Sequence, residues 1–435
     1  MTISDLAPGL SLIGLLLVLL VVRVPIAFAL AGSGIVGLVM ARPWRAVEFL
    51  LSTFAYSASA NFAYVVLPLF LFMGHMAFSA GLSKTAFDAG QKWLGRIPGG
   101  LAAATVFGCA AFSTICGSSV ATASTMTRVA LPEMLRHGYK PSLAAGCVAA
   151  GGTLGVLIPP SGILVIYSII TEVSLVRLFV AAFVPGVMTA LVYVIGIYIW
   201  VKIVPDAAPT GDDVPVVSWA EKFSALAKSW ELVVLFLAVM GTIYLGVATP
   251  TEAAGMGALF ALFAVLRRPN RMENVLAGLK ETGTATCSIF ALVIGAGLFS
   301  LGLSTTQFPV KLAEMVSSLD WSQTAMIVVL LLPYLILGCF VDGLSMILIT
   351  MPIVYPIVIK IGFDGVLFGL LVTKAVEIGE ITPPVGLNAF VVKSMAPNVA
   401  LGDVFKGCIP FVVMELLIVA SLIAFPQIAL FAIGN

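Results

Sequence analysis

Runs without a single Asp, Glu, Lys or Arg recur along this chain, at 6–22, 97–127, 141–171, 178–201, 232–251, 282–310 and 321–341. A helix that crosses a bilayer needs about 20 mostly apolar residues, and only helices and closed barrels satisfy their backbone groups inside lipid. A barrel would show short strands of alternating polarity, and no such alternation is visible. The composition agrees: 60% of residues are apolar and 10% charged, against about half and a quarter in soluble domains. The chain reads as an all-α polytopic membrane protein.

The same composition closes other routes. With 22 basic and 21 acidic residues, a net charge of +1 and no basic block, nothing attracts nucleic acid. Cys109, Cys116, Cys147, Cys287, Cys339 and Cys408 are scattered without a CxxC, so no metal site or disulfide framework is read. His75 and His137 lie far apart and outside any ligand pattern, which argues against a haem or quinone-type redox protein. No cofactor is expected. The N-terminus lacks the basic region and small-residue cleavage site of a secretory signal, so the first helix is expected to stay in the mature protein. Arg42, Arg45, Arg96, Arg267, Arg268, Arg271 and Lys360 sit at the ends of apolar runs, where they anchor helices in headgroups. The polar but helix-compatible stretch 83–95 is read as lying along the interface.

One long polar interruption, 202–230, reads as a solvent-exposed linker. It divides the chain into 1–205, a linker at 206–229, and 230–435. Comparing the halves at a fixed offset tests for duplication. Pro25 matches Pro250, Gly32 matches Gly257 and Met126 matches Met351, each 225 apart; Pro132/Pro356, Gly155/Gly379, Pro159-Pro160/Pro383-Pro384 and Gly162/Gly386 are 224 apart. One single-residue gap aligns them all. An internal duplication is therefore expected, a recurrent feature of secondary transporters and often of inverted topology.

Matched sites in the two halves look unable to continue a helix. In the 31-residue charge-free run 97–127, STICGSSVATAST can be a re-entrant hairpin turning at Gly117-Ser118-Ser119. AGGTLGVLIPPSG at 150–162 follows, where Pro160 disfavours α geometry at Pro159. The second half repeats this with CFVDGLSMILIT, its tip at Asp342-Gly343, and EIGEITPPVGLN at 377–388. Broken helices expose carbonyls to a cation and amides to an anion. Ser118, Ser119 and Thr122 are also compatible with simple close helix contact. Asp342 is a functional candidate because an ionised carboxylate at membrane depth costs at least ~2.5 kcal/mol. Glu377 and Glu380, three apart, can share a helical face or lie at the surface.

GSSVATAST with RVALPEM, GYKPSLAAG and GGTLGVLIPPSG, then GVATPTEAAG and FVDGLSM…TPPVGLN, together resemble the large membrane subunit of the tripartite ATP-independent periplasmic (TRAP) transporters. The resemblance spans roughly residues 20–425. It implies a sodium-driven importer in the bacterial inner membrane, fed an organic acid by a periplasmic binding protein and flanked by a small membrane subunit of some four helices on a separate chain. It also implies an elevator fold: an inverted repeat in which a scaffold supports a transport domain of two hairpins and two broken helices, centred on Gly155–Pro160 and Gly379–Pro384. Carried onto this chain, one sodium and substrate site falls at Ser118, Ser119, Thr122, Gly152 and Gly155. The other falls at Asp342, Gly343, Ser345, Gly379 and Thr382. Sodium would lie near Gly155 and Gly379, and the substrate carboxylate would meet Ser118, Ser119 and Thr382. Glu380 departs from the family pattern, which usually carries an apolar residue there.

Three other readings compete. A stand-alone sodium–dicarboxylate symporter would share hairpins and repeat but need no binding protein. A passive anion channel would show polar stripes or charged rings along a pore, whereas polarity here concentrates at helix breaks. A membrane enzyme would show a constellation of His, Asp or metal ligands at membrane depth, and none is read. Dicarboxylates, sialic acid and 2-oxo acids all satisfy the same backbone logic, so the sequence names no single substrate.

Overall fold

A computed structural model describes residues 6–209, 217–319 and 321–434, and every helix or turn of helix in them forms part of one all-helical fold with no strand among the described residues. The first part runs α1 (Ala7–Val21), α2 (Ile26–Ala41), α3 (Trp44–Ser59), α4 (Val66–Ser79) and α5 (Leu82–Leu94). Pro25 and Pro43 stand at the N-caps of α2 and α3, where the missing amide hydrogen removes no helical bond. A hairpin of α6 (Gly100–Cys116) and α7 (Ser119–Val129) follows, extended by α8 (Leu131–Arg136). Then α9 (Pro141–Leu157) and α10 (Gly162–Thr171) flank a break, and α11 (Leu175–Ile203) closes this part.

Beyond the polar tract come α12 (Trp219–Lys228), α13 (Trp230–Phe236) and α14 (Thr242–Tyr244), the last two joined by a π-helical turn at Leu237–Gly241. They lead to α15 (Pro250–Leu266), α16 (Arg271–Thr305) and α17 (Phe308–Ser317). A second hairpin of α18 (Gln323–Leu337) and α19 (Gly343–Lys360) precedes α20 (Gly365–Glu380) and α21 (Leu387–Met395), again separated by a break. α22 (Leu401–Ala424) and α23 (Gln427–Leu430) end the fold. Among the described residues, six helical segments are long and apolar enough to cross a membrane, or up to seven if the pair α12 and α13–α14, bent by 51°, is one span.

The first leg of each hairpin is short. α6 and α18 have 17 and 15 residues, about 26 and 23 Å at 1.5 Å per residue and short of a ~30 Å hydrocarbon core. α16, with 35 residues, is about 52 Å long and exceeds it. The two helices that precede the breaks are buried all round: Leu143–Leu157 of α9 and Val366–Glu380 of α20 have no accessible residue. Their neighbours interlock across the halves, α7 packing on α21 and α19 on α10. Asn388 Nδ2 of α21 donates to Ala149 O of α9 at 3.4 Å, and Tyr167 OH of α10 donates to Gly365 O of α20 at 2.7 Å.

Two expectations need correction. The segment 202–230 is not a bare exposed linker. Residues 210–216 lie outside the described residues, but Ala207 and Ala208 are buried and Lys140 N donates to Ala207 O at 2.9 Å. Ser218 and Glu221 then form a capping box that starts α12, which packs on α5. The breaks also begin later than expected. Gly155 and Gly379 lie inside α9 and α20, and the chain leaves helix only at Ile158 and Ile381. The physical reason is positional: each proline pair restricts its own and the preceding residue, not residues three or four earlier.

Candidate functional site

The first hairpin turns where the sequence places glycine and hydroxyls. Gly117 adopts a φ of 62°, a left-handed conformation that ends α6 and that glycine takes without a steric penalty. Ser118 is extended and accepts from Ala121 N at 3.4 Å, capping α7, while Thr122 Oγ1 donates to Ser118 O at 2.9 Å. The first break docks onto this tip, with Gly162 N donating to Gly117 O at 3.3 Å.

Gly155 explains how close the two pieces come. A Cβ there would lie 2.6 Å from Ser118 O and 2.8 Å from Thr122 Oγ1, so only hydrogen fits. A carbonyl and a hydroxyl oxygen thus converge on one point of α9. Gly152, one turn earlier, packs on Ala123 of α7.

The second hairpin repeats the plan with a charged cap. Asp342 accepts from Ser345 N through Oδ1 at 3.3 Å and Oδ2 at 3.2 Å, at the N-terminus of α19, where the helix dipole favours an anion. Gly343 packs on Ile163 and Val376, and Ser345 is buried. Gly386 N donates to Cys339 O at 3.1 Å, tying the second break to this tip. Gly379 faces Gly338 and the amide of Cys339, so its neighbours are backbone carbon and N–H where those of Gly155 are oxygens. Thr382 Oγ1 donates to Ile378 O at 2.5 Å.

Both tips and the first break border one cavity of about 340 Å³. Cys116, Gly117, Ser118, Ser119, Pro160, Gly162, Asp342, Gly343 and Glu380 form one side; Phe70 and Leu71 of α4 with Ala285, Ser288 and Ile289 of α16 form the other. Of the residues singled out in the sequence, Ser118, Ser119, Asp342 and Gly343 line this space. Thr122, Gly152, Gly155, Ser345, Gly379 and Thr382 lie behind it and set the packing of the tips.

Sequence reasoning left Glu377 and Glu380 undecided between a shared helical face and the surface, and missed the groups around them. Lys374, Glu377 and Glu415 are each 0% exposed. Lys374 Nζ donates to Glu377 Oε2 at 2.7 Å and makes an ion contact with Glu415 Oε2 at 2.7 Å. Tyr193 OH donates to Glu415 Oε1 at 2.5 Å. This cluster pins α20 to α22 and α11 deep in the fold. A charge pair three apart at 374 and 377 inside an apolar run was the available signal.

The family model of the tripartite ATP-independent periplasmic transporter, DctM component, matches residues 13–428. This chain belongs to that family. The permease is 33% identical to the C4-dicarboxylate TRAP transporter large permease protein DctM of Pseudomonas aeruginosa over 86% of this chain and 87% of that one. It is 32% identical to the ectoine TRAP transporter large permease protein TeaC of Halomonas elongata, over 84% and 85% of the two chains. Its fold is similar to that of the YdaH transporter of Alcanivorax borkumensis, with a TM-score of 0.63 at 14% identity over 96% and 97% of the chains. The permease is a multi-pass protein of the inner membrane, and its family works with a small membrane subunit and a periplasmic binding protein.

Proposed function

We propose that this permease imports an organic acid by sodium-driven elevator transport, receiving it from a binding protein and working beside a separate small subunit of some four helices. The observation that carries the reading is the single cavity bordered by both hairpin tips and facing α4 and α16. In this reading the hairpins and broken helices form an inverted-repeat transport unit, and α16 with α2, α4 and α15, each of which packs on it, forms the frame.

Sodium is a co-substrate here, and the first site supplies donors suited to it. Ser118 O and Thr122 Oγ1 are hard oxygens converging beside Gly155, the ligand type that hard cations prefer. A bound cation stiffens the tip, and the hydroxyls of Ser118 and Ser119 then meet the substrate carboxylate. A loaded site is nearer neutral than a half-loaded one, so movement through a low-dielectric slab favours the full complex. Relatives bear names for C4-dicarboxylates and for ectoine, which supports a small organic acid as the cargo.

The test is uptake of labelled organic acid into proteoliposomes holding both membrane subunits, with binding protein outside. An inward sodium gradient should raise initial uptake at least tenfold over equimolar choline. Equal uptake in the two salts would remove sodium coupling from the reading.

A further inference from the structure

Accepting the cavity as the cargo site, we infer from its charges that the cargo carries a positive group as well as its carboxylate. The residues that border the cavity include two acids, Asp342 and Glu380, and no Lys, Arg or His. The acids differ in how they are held. Asp342 caps α19 with both oxygens on Ser345 N, so its charge is met by a helix N-terminus.

Glu380 has no such partner. It is 2% exposed, ends α20 at the C-terminal pole of the helix, and its Oε2 has no hydrogen-bond partner. A helix C-terminus opposes negative charge, and a buried carboxyl oxygen without a partner is costly. Ser119 lies close enough to interact with the Glu380 carboxyl, and Asp342 adds a repulsive charge. The nearest buried cation, Lys374, sits two helical turns back and is already shared by Glu377 and Glu415. Its single charge is outnumbered before Glu380 is considered. His75 and Arg128 line an adjoining cavity and not this one, and His75 Nδ1 is held by Glu281 at 2.8 Å.

Glu380 thus borders the cargo space, and the chain supplies it no counter-charge. A dianionic cargo would place like charges together in that space. A zwitterion supplies the missing cation to Glu380 and offers its carboxylate to the hydroxyl of Ser118 in the same cavity. About 340 Å³ holds a small molecule of this type. Glu380 therefore selects amino or amidinium acids over dicarboxylates.

The experiment measures thermal stabilisation of the purified permease in sodium buffer by ectoine, a cyclic amidinium acid, by β-alanine and by succinate. A zwitterion should raise the melting temperature with an apparent affinity at least tenfold tighter than succinate. In Glu380→Gln that preference should fall at least tenfold, and Glu380→Asp should restore part of it. Stabilisation by succinate alone, or succinate binding that strengthens as pH falls, overturns the inference and leaves the organic-acid reading intact. No stabilisation by any of the three removes the cargo-site reading along with it. Ligand preference of the unmodified protein decides the matter even if a variant misfolds.

Discussion

At Gly155 one methyl group separates a closed joint from a strained one. Its Cβ would press on Ser118 O and Thr122 Oγ1, and overpacking a well-filled interior costs about 1–3 kcal/mol. Gly155→Ala should therefore lower unfolding stability by that amount, measured by thermal or denaturant unfolding in detergent, and should cut uptake. Gly255→Ala in α15 is the matched control, because a Cβ there meets nothing within 4 Å; its stability should stay level or rise slightly. A second residue carries a larger effect. Lys374 is the single cation between Glu377 and Glu415 at full burial, and deleting one member of a buried ionic group costs about 3–5 kcal/mol. Lys374→Met should lose that stability, and adding Glu377→Gln with Glu415→Gln should recover much of it. A triple variant as weak as the single one would show that Lys374 acts through packing and not through charge.

Elements differ in how plainly the sequence announces them. The hairpin tips and the breaks are legible because Gly, Pro, Ser and Thr interrupt runs that are otherwise apolar; the structure turns both hairpins at the tips these residues mark, and breaks both helices at the proline pairs, after Gly155 and Gly379. The buried cluster is not legible, because Tyr193 and Glu415 are 222 residues apart and only packing joins them. For Glu380 the sequence leaves a shared helical face and the surface equally open until the full burial of α20 is known. α12 is hidden for a different reason: ten helical residues follow a tract of Pro, Gly and Asp that dominates any composition window. The Ser218-x-x-Glu221 signature was the cue that could have found it. Its placement makes a prediction about depth. Trp219 and Phe223 are 68% and 58% exposed and stack edge-on with Trp93 of α5, while Lys222 Nζ lies 5.1 Å from the Trp219 ring centre. Aromatic rings beside a lysine are the signature of a headgroup-level element. In a variant keeping only Trp93 and Trp219, lipids brominated near the headgroup should quench fluorescence more than lipids brominated near the chain ends. The reverse order would place α5 and α12 elsewhere.

For the whole molecule the decisive question is whether the hairpins travel against α4 and α16. A cavity shared by the two groups is compatible with a moving unit and also with fixed walls that open by small gates. The two differ in what a tether across the cavity does. Val120 at the start of α7 and Ala285 of α16 both border the space from opposite sides. In a background where the six free cysteines are replaced, Val120→Cys with Ala285→Cys joined by a short thiol cross-linker should stop uptake, and cleaving the linker should restore it. Leu19→Cys with Gly32→Cys joins α1 to α2, where a Cβ at 32 lies 3.8 Å from Leu19 Cδ1. That tether joins α1 to a frame helix it already packs on and should leave uptake unchanged. Sliding of one packed group past another requires displacements that a short linker forbids, whereas opening a local gate at the second tip, Asp342-Gly343, does not. Import that persists with the α7–α16 tether closed would therefore rule out displacement of the first hairpin, its tip included, and assign access to movement of the second hairpin tip.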